Sequence, residues 1–485
     1  MLSRVLSTTS SGLTANLLTI EVDVRIGLGF NLIGLADRTL RESTFRIQSA
    51  IFNSGMKIPG RKITINLSPA NLPKKGSQID LAISLGILSA HGQINIASVK
   101  DYLVLGELSL DGEIKPVKGI LSAALLCKNL KLSGLIVPKE NTTEAQWVEG
   151  INVIGVENLK ELIQFLRKGT LLNQIEAPPE NPVWTEKEKG VDFALLNGLE
   201  LAKRGLEIAA AGRHHILLYG KPGIGKTLLA KAYPSILPNL EQEEALELRL
   251  IQSISQPLEY QEGLNLRPPM RSPHHSILTS SLIGGGVNPR PGEISLAHKG
   301  ILFLDEFNEF SRRSIESLRQ AMEDREVIIN RLKSSEVFPS DFQLLATTNP
   351  ISSDTILKFS TALSDRIDLK VHVRKSISNT SMKGRDANNS QSILNRIKRA
   401  RLIQKRRFSQ VPLKYNANLK GEWVLKFCVL SSDLKSTFQK LTQERDISSR
   451  AYYNILKVAR TIADLEESET ILEEHLFEAI QYRGK

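Results

Sequence analysis

Eight consecutive residues, Gly220, Lys221, Pro222, Gly223, Ile224, Gly225, Lys226 and Thr227, have the types and spacing of a phosphate cradle. The three glycines let the backbone curl so that its N–H groups face anionic oxygens. Lys226 reaches terminal phosphates and the Thr227 hydroxyl suits Mg2+. The apolar run His215, Ile216, Leu217, Leu218, Tyr219 precedes the loop, and the helix-forming run Leu228, Leu229, Ala230, Lys231, Ala232 follows it. Strand, glycine loop and helix start therefore fall in the order that a nucleoside triphosphate site requires.

A second apolar run, Ile301, Leu302, Phe303, Leu304, ends in Asp305 and Glu306. Asp305 suits Mg2+ held through water, and Glu306 suits the orientation or deprotonation of an attacking water. A third strand, predicted over residues 342–348, ends at Asn349, whose amide either senses a terminal phosphate or opens a turn before Pro350. Arg366 stands between Asp365 and Asp368. It is either a finger reaching the nucleotide of a neighbouring subunit, which makes hydrolysis depend on assembly, or half of a local ion pair of little worth at a surface. Arg450 starts a predicted helix and is placed to touch phosphates from the C-terminal segment.

The elements that must position these residues alternate strand and helix from Val191 to about Val373, the pattern of a parallel sheet flanked by helices. Residues 1–168 alternate β-rich runs (18–26, 62–67, 134–137) with helical patterns such as 79–88, and predict a mixed α/β domain. Residues 169–190 carry Pro178, Pro179 and Pro182 among charges and predict a linker. A polar stretch separates the core, residues 191–375, from a helical lid or bundle over residues 391–485. The expected class is α/β in two or three domains, since 485 residues exceed one ordinary core.

Bulk chemistry narrows the functional classes. The net charge of +11 favours nucleic acid or another polyanion as partner. Cys127 and Cys428 are far apart and lack metal-ligand spacing, which argues against a disulfide framework and fits a reducing cytoplasm. No run of about twenty apolar residues occurs, so neither membrane insertion nor secretion is expected.

Taken in order, these motifs resemble those of the AAA+ ATPases. Residues 273–310 and 448–465 are similar to signatures of the Mg-chelatase-like ComM/YifB family of bacterial ATPases, and the resemblance covers essentially the whole chain. It implies an AAA+ P-loop core, ATP and Mg2+ as cofactors, and a homo-hexameric ring. For the family's best-known members it implies a DNA helicase acting on single-stranded or branched DNA in branch migration during transformation. Carried over by position, Lys226 and Thr227 match the phosphate loop, Asp305 and Glu306 the Mg2+ and water pair, Asn349 the sensor, Arg366 the finger and Arg450 the lid sensor. A chelatase-type, protein-remodelling motor is the alternative use of the same cycle.

The chain also departs from the pattern. The cysteine-rich insert common after the Asn–Pro pair is absent, since Ile351, Ser352, Ser353 and Asp354 follow Pro350 directly. Leu199 occupies the usual glutamine position near the base, which implies looser base recognition or a main-chain contact. The N-terminal domain resembles the Lon protease catalytic domain, but Gln78 and Leu121 stand where the catalytic serine and lysine belong. Ser77 and Lys118 are out of register. A non-proteolytic scaffold is expected.

Candidate DNA contacts are a hairpin with strands 326–330 and 336–338 and a turn bearing Arg331 and Lys333, and a mobile loop at Gly284, Gly285 and Gly286. The basic run Arg396, Lys398, Arg399, Arg401, Lys405, Arg406, Arg407 is either a solvated helix face or a DNA-contacting one. His214, His215, His274, His275 and His298 lack the spacing of a ligand set for a metal other than Mg2+.

Overall fold

The computed structural model describes residues 2–34, 38–58, 60–72, 74, 76–168, 191–255, 265–286, 289–330, 335–349, 361–375, 389–445 and 447–483. The chain divides into two compact units, Met1–Thr185 with Ala245–Asn265, and Glu186–Glu244 with Leu266–Lys485. The expected linker at 169–190, the turn with Arg331 and Lys333, Pro350 and residues 351–354 lie outside the described residues.

The first unit holds strands β1 (Leu2–Ser11), β2 (Thr14–Arg25), β3 (Phe30–Ile33), β4 (Lys62–Ser68), β5 (Tyr102–Val104), β6 (Glu107–Leu108), β7 (Ile114–Lys115), β8 (Gly134–Pro138) and β9 (Asn152–Val156). Its helices are α1 (Arg38–Asn53), α2 (Asp80–Ala90), α3 (Ile120–Asn129), α4 (Thr142–Gln146) and α5 (Leu159–Lys168). A mixed sheet runs in the order β3-β4-β2-β1-β5-β8-β9. In β2 every second residue, Leu18, Ile20, Val22 and Val24, is buried, as a half-covered strand demands. Helix α2 packs on β1 and β2 and is buried almost all round, including Asp80, which Arg46 meets at 2.8 Å.

The Lon-like positions carry no protease chemistry. The Gln78 amide donates to the Thr8 carbonyl at 3.2 Å, Leu121 is wholly buried in α3, Ser77 hydrogen-bonds Glu107, and Lys118 is exposed.

The second unit begins with α6 (Glu200–Gly212), β10 (Ile216–Tyr219) and α7 (Lys226–Ala232). It shares α8 (Gln242–Ser255) with the first unit and continues with β11 (Met270–Arg271), α9 (Thr279–Ile283), β12 (Gly284–Gly285) and β13 (Arg290–Pro291). Then come α10 (Glu293–Leu296), β14 (Ile301–Leu304), α11 (Arg312–Asp324), β15 (Glu326–Asn330), β16 (Ser335–Pro339), β17 (Gln343–Thr348), α12 (Thr361–Ser364) and β18 (Leu369–His372). The C-terminal helices are α13 (Ser390–Arg407), α14 (Glu422–Phe427), α15 (Ser432–Glu444), α16 (Ser449–Leu465) and α17 (Glu473–Gln481).

Its sheet is fully parallel, in the order β11-β14-β17-β10-β18. Ile216, Leu218, Leu345, Leu369 and Val371 of the strands share one core with Ile393 and Ile397 of α13 and Ile455, Val458 and Ile462 of α16. The C-terminal helices therefore pack as part of the sheet's own unit, although the sequence separates them by a polar stretch. Of the three glycines expected to form a mobile loop, Gly284 pairs with Pro291 and Gly285 with Arg290, while Gly286 lies in a turn. The predicted hairpin is β15 and β16, with Ile328 opposite Val337.

Buried charge ties α13 and α16 together. Asp464 is fully buried and receives Arg407 Nη1 at 2.8 Å, Arg460 Nη2 at 3.0 Å and Asn416 Nδ2 at 2.8 Å. Asp464→Ala strands two guanidinium groups in the core, and removing one partner of such a set costs about 3–5 kcal/mol. We expect a matching fall in the urea midpoint of unfolding, with Asp464→Asn, which keeps an acceptor, destabilised less.

Candidate nucleotide site

Three strand ends make the site. Strands β14, β17 and β10 are neighbours, and their registers pair Leu304 with Ala346 and Tyr219 with Thr348. Asp305, Asn349 and the glycine loop, which follow these strands, therefore emerge side by side at the C-terminal edge, where open α/β sheets bind ligands. A cavity of about 290 Å3 opens there, lined by Pro222, Gly223, Gly225, Lys226, Thr227, Asp305, Glu306 and Asn349 among others.

The loop geometry requires its glycines. Gly223 has φ +75° and Gly225, the residue before α7, has φ +107°. Leu199 Cδ1 lies 3.4 Å from the place of a Cβ at Gly225, so Leu199 packs against the loop.

Lys226 is buried, and its ammonium donates to the carbonyls of Gly220 at 2.7 Å and Lys221 at 3.0 Å and to Asn349 Oδ1 at 2.9 Å. Burial lowers its pKa from the ordinary lysine value, with Asp305 and Glu306 pulling the other way. Thr227 Oγ1 donates to Asp305 Oδ2 at 3.1 Å, and Thr347 Oγ1 bonds the other Asp305 oxygen. Thr347 Oγ1 also accepts the Glu306 amide at 3.2 Å, and Thr348 holds Asn308 at 2.9 Å. In the sequence the only signal for these threonines is a pair of hydroxyls that follows the apolar run Leu344, Leu345, Ala346. Glu306 has φ +52°, a left-handed conformation seldom adopted by a side-chain-bearing residue, and its carboxylate is about half exposed.

Arg366 and Arg450 are elsewhere. Arg366 precedes β18, and with Arg450 it lines a cavity of about 460 Å3 whose other walls include His215, Asp341, Phe342 and Asp368. Those four residues precede β10, β17 and β18, so this cavity lies at the N-terminal edge of the sheet, opposite the glycine loop. Arg450, expected to touch phosphates from the lid, thus stands with Arg366 and away from the glycine loop of the same chain. Ser448 caps α16, and the first turn of that helix points Arg450 to the Arg366 edge.

Glu323 contacts Arg366 and lies 3.5 Å from Arg450. Burial first, then the charges of Arg450 and Arg319, lower the Arg366 guanidinium to about 10, with Glu316 opposing. Glu323 sits between the two cations at this edge.

The histidines resolve into separate roles. His214 joins Asp368 at 3.3 Å and Thr461 at 2.8 Å. Burial opposes ionisation of Asp368, yet Lys457 and the His214 ring outweigh it and hold that carboxyl well below the ordinary range. His215 Nδ1 accepts the Leu344 amide at 3.0 Å, and burial lowers its pKa to about 4. His298 Nδ1 accepts the Asp341 amide at 3.1 Å. The His274 and His275 rings lie tilted against each other, centroids 4.0 Å apart, and His275 faces Glu306.

On α13 three cations of the basic run are held within the fold: Arg396 meets Glu207, Arg401 the Ala210 carbonyl and Arg407 Asp464. Arg399 and Lys405 make exposed pairs with Glu467 and Glu241, and Lys398 and Arg406 are exposed.

A parallel sheet with a glycine loop after one strand, an acidic pair after a second and a polar amide after a third defines the AAA+ class of P-loop ATPase fold. Models of the magnesium chelatase subunit ChlI match residues 192–358, of subunit ChlI of Mg-chelatase residues 20–141, and of the ChlI C-terminal region residues 387–483. The chain belongs to the Mg-chelatase-like ComM/YifB family. It is 37% identical to the competence protein ComM of Haemophilus influenzae over all of this chain and 97% of that protein. It is 36% identical to the uncharacterized protein YifB of Escherichia coli over 100% and 97% of the two chains. A magnesium-chelatase 67 kDa subunit of Chlorobaculum parvum is 29% identical over 37% of this chain and 26% of its own.

Proposed function

We propose that this protein is an ATP-hydrolysing motor that works as a homo-hexameric ring on DNA, moving single-stranded or branched substrates in recombination. The observation that carries the reading is the division of labour across the sheet. The phosphate loop, Asp305 and Glu306 occupy one edge, and Arg366 with Arg450 the opposite one. In a head-to-tail ring the second edge of one subunit meets the first edge of the next, and an arginine supplied in trans completes the hydrolysis site.

The cycle then uses the chain's own groups. Backbone N–H groups of residues 223–227 and the Lys226 ammonium bind the β- and γ-phosphates, with Lys226 exchanging its Asn349 partner for phosphate oxygen. Thr227 Oγ1 and Asp305, 3.1 Å apart, are hard oxygen donors that fit Mg2+ and would hold it; bound there, it neutralises charge developing on the phosphates. Glu306 orients the attacking water and takes its proton. Asn349 reports whether the terminal phosphate is present.

DNA as the substrate is supported by the net charge of +11 and by the competence role in the name of the Haemophilus relative. A protein-remodelling motor is the second reading, favoured by the internal pairing of the α13 cations and by the similarity to a magnesium-chelatase subunit. ATP turnover titrated with single-stranded, duplex and forked DNA, with Lys226→Ala as the inactive control, separates the two. Single-stranded or forked DNA is expected to raise turnover several-fold, and added salt to remove the effect. No response to any DNA, together with one stable protein partner in a pull-down, transfers the motor to a protein substrate.

A further inference from the structure

Strand β11 contributes only Met270 and Arg271, yet its register is fixed firmly. Met270 pairs with Ile301 and Arg271 with Leu302, in parallel. The Ile301 amide donates to the Pro269 carbonyl at 2.8 Å. Gly300 permits this approach, since a Cβ there would fall 2.1 Å from Pro269 O. Arg271 is clamped by a bidentate pair to Glu293, both bonds 2.7 Å.

Counting onward from the pair Arg271 and Leu302, four residues along each chain reach His275 and Glu306. The two side chains approach each other to just beyond hydrogen-bond reach. His275 Nδ1 lies 4.0 Å from Glu306 Oε2.

The imidazole also has a ring neighbour. The His274 ring lies against it, tilted by 35° with centroids 4.0 Å apart, and His274 Nδ1 is itself tied to Ser276, accepting its amide at 3.3 Å and pairing with its hydroxyl at 2.8 Å. Glu306 stands on a left-handed backbone that Thr347 supports through the amide alone, at 3.2 Å. Its carboxylate is 53% exposed, the state of a group with freedom to swing. His275 does not line the nucleotide cavity, whereas Glu306 does.

We propose that His275 is the positioning residue for Glu306, donating from Nδ1 to one carboxylate oxygen so that the other faces the attacking water. The inference rests on the reading of Glu306 as the group that orients that water. His275 makes no contact with nucleotide and takes no part in bond making. Its effect is to restrict the carboxylate to the rotamer that points along the cavity, which matters because a misplaced catalytic group loses rate steeply.

The test uses the full-length chain and compares His275→Ala, His275→Asn, Glu306→Gln and the double variant His275→Ala/Glu306→Gln. ATP turnover, KM for ATP, binding of a fluorescent ATP analogue and the melting temperature are measured for each. We expect His275→Ala to lower kcat by about ten-fold or more, with KM, analogue binding and melting unchanged. His275→Asn, whose amide still donates, recovers part of the loss. On the Glu306→Gln background, removal of His275 has no further effect, because coupled residues are non-additive. Unchanged kcat in His275→Ala, a parallel loss of binding or melting, or additive losses in the double variant each overturn the proposal. Full turnover in Glu306→Gln alone overturns the underlying role of Glu306, a separable result.

Discussion

Glu306→Gln is expected to lower ATP turnover by about two to four orders of magnitude while nucleotide affinity stays within a few-fold of the parent, the loss typical of a general base that acts in the transition state. The reason is in the geometry. Glu306 lines the cavity but is not among the groups that anchor Lys226, whose ammonium is held by Gly220, Lys221 and Asn349. The amide of glutamine keeps the shape and the Thr347 contact to the backbone, and loses only the basicity. Lys226→Ala gives the opposite signature, since it removes the cation that grips the phosphates, so affinity and turnover fall together. Equilibrium binding of a fluorescent ATP analogue beside steady-state phosphate release distinguishes the two. Turnover of Glu306→Gln within about three-fold of the parent would remove Glu306 from the role of base.

Much of this site could be read from the sequence because it is built at strand ends. Runs such as residues 301–304 and 344–346 are apolar on both faces, which marks them as central strands of a covered parallel sheet, and the polar residues that follow must surface at one edge. That logic located Asp305, Glu306, Asn349 and the glycine loop. It could not locate His275, because β11 has two residues and no periodicity of its own. Only the pairing of Arg271 with Leu302 brings His275 level with Glu306.

The placement of Arg450 was illegible for another reason. Its helix start was readable, with Ser448 as cap. The edge of the sheet to which that helix delivers it depends on Ile455, Val458 and Ile462 joining the sheet core beside α13. The basic run of α13 shows the same limit, since charge density in a sequence does not reveal buried partners such as Asp464 and Glu207 on other helices.

Arg366→Ala should be as damaging as loss of the base, for a different reason and with a different remedy. An arginine finger is worth about 10³–10⁵ in turnover. Here the guanidinium stands at the N-terminal edge of the sheet, in a cavity that shares none of its lining residues with the nucleotide cavity. If it acted within its own chain, mixing Arg366→Ala with Glu306→Gln protein would give no activity, as every chain has a broken site. If it acts on the neighbour, a site between an Arg366→Ala subunit that supplies the phosphate loop and Glu306, and a Glu306→Gln subunit that supplies Arg366, is whole. Random equal mixing in a head-to-tail ring makes about one quarter of the sites complete. Turnover should therefore rise from near zero toward that fraction as two inactive proteins are combined, and Arg450→Ala should be rescued by the same partner because it shares the Arg366 cavity. Arg366→Lys should not substitute, since a compact ammonium lacks the planar fork of the guanidinium. A mixture that stays inactive under conditions where the two proteins co-assemble would return both arginines to their own chain and remove the main argument for a ring.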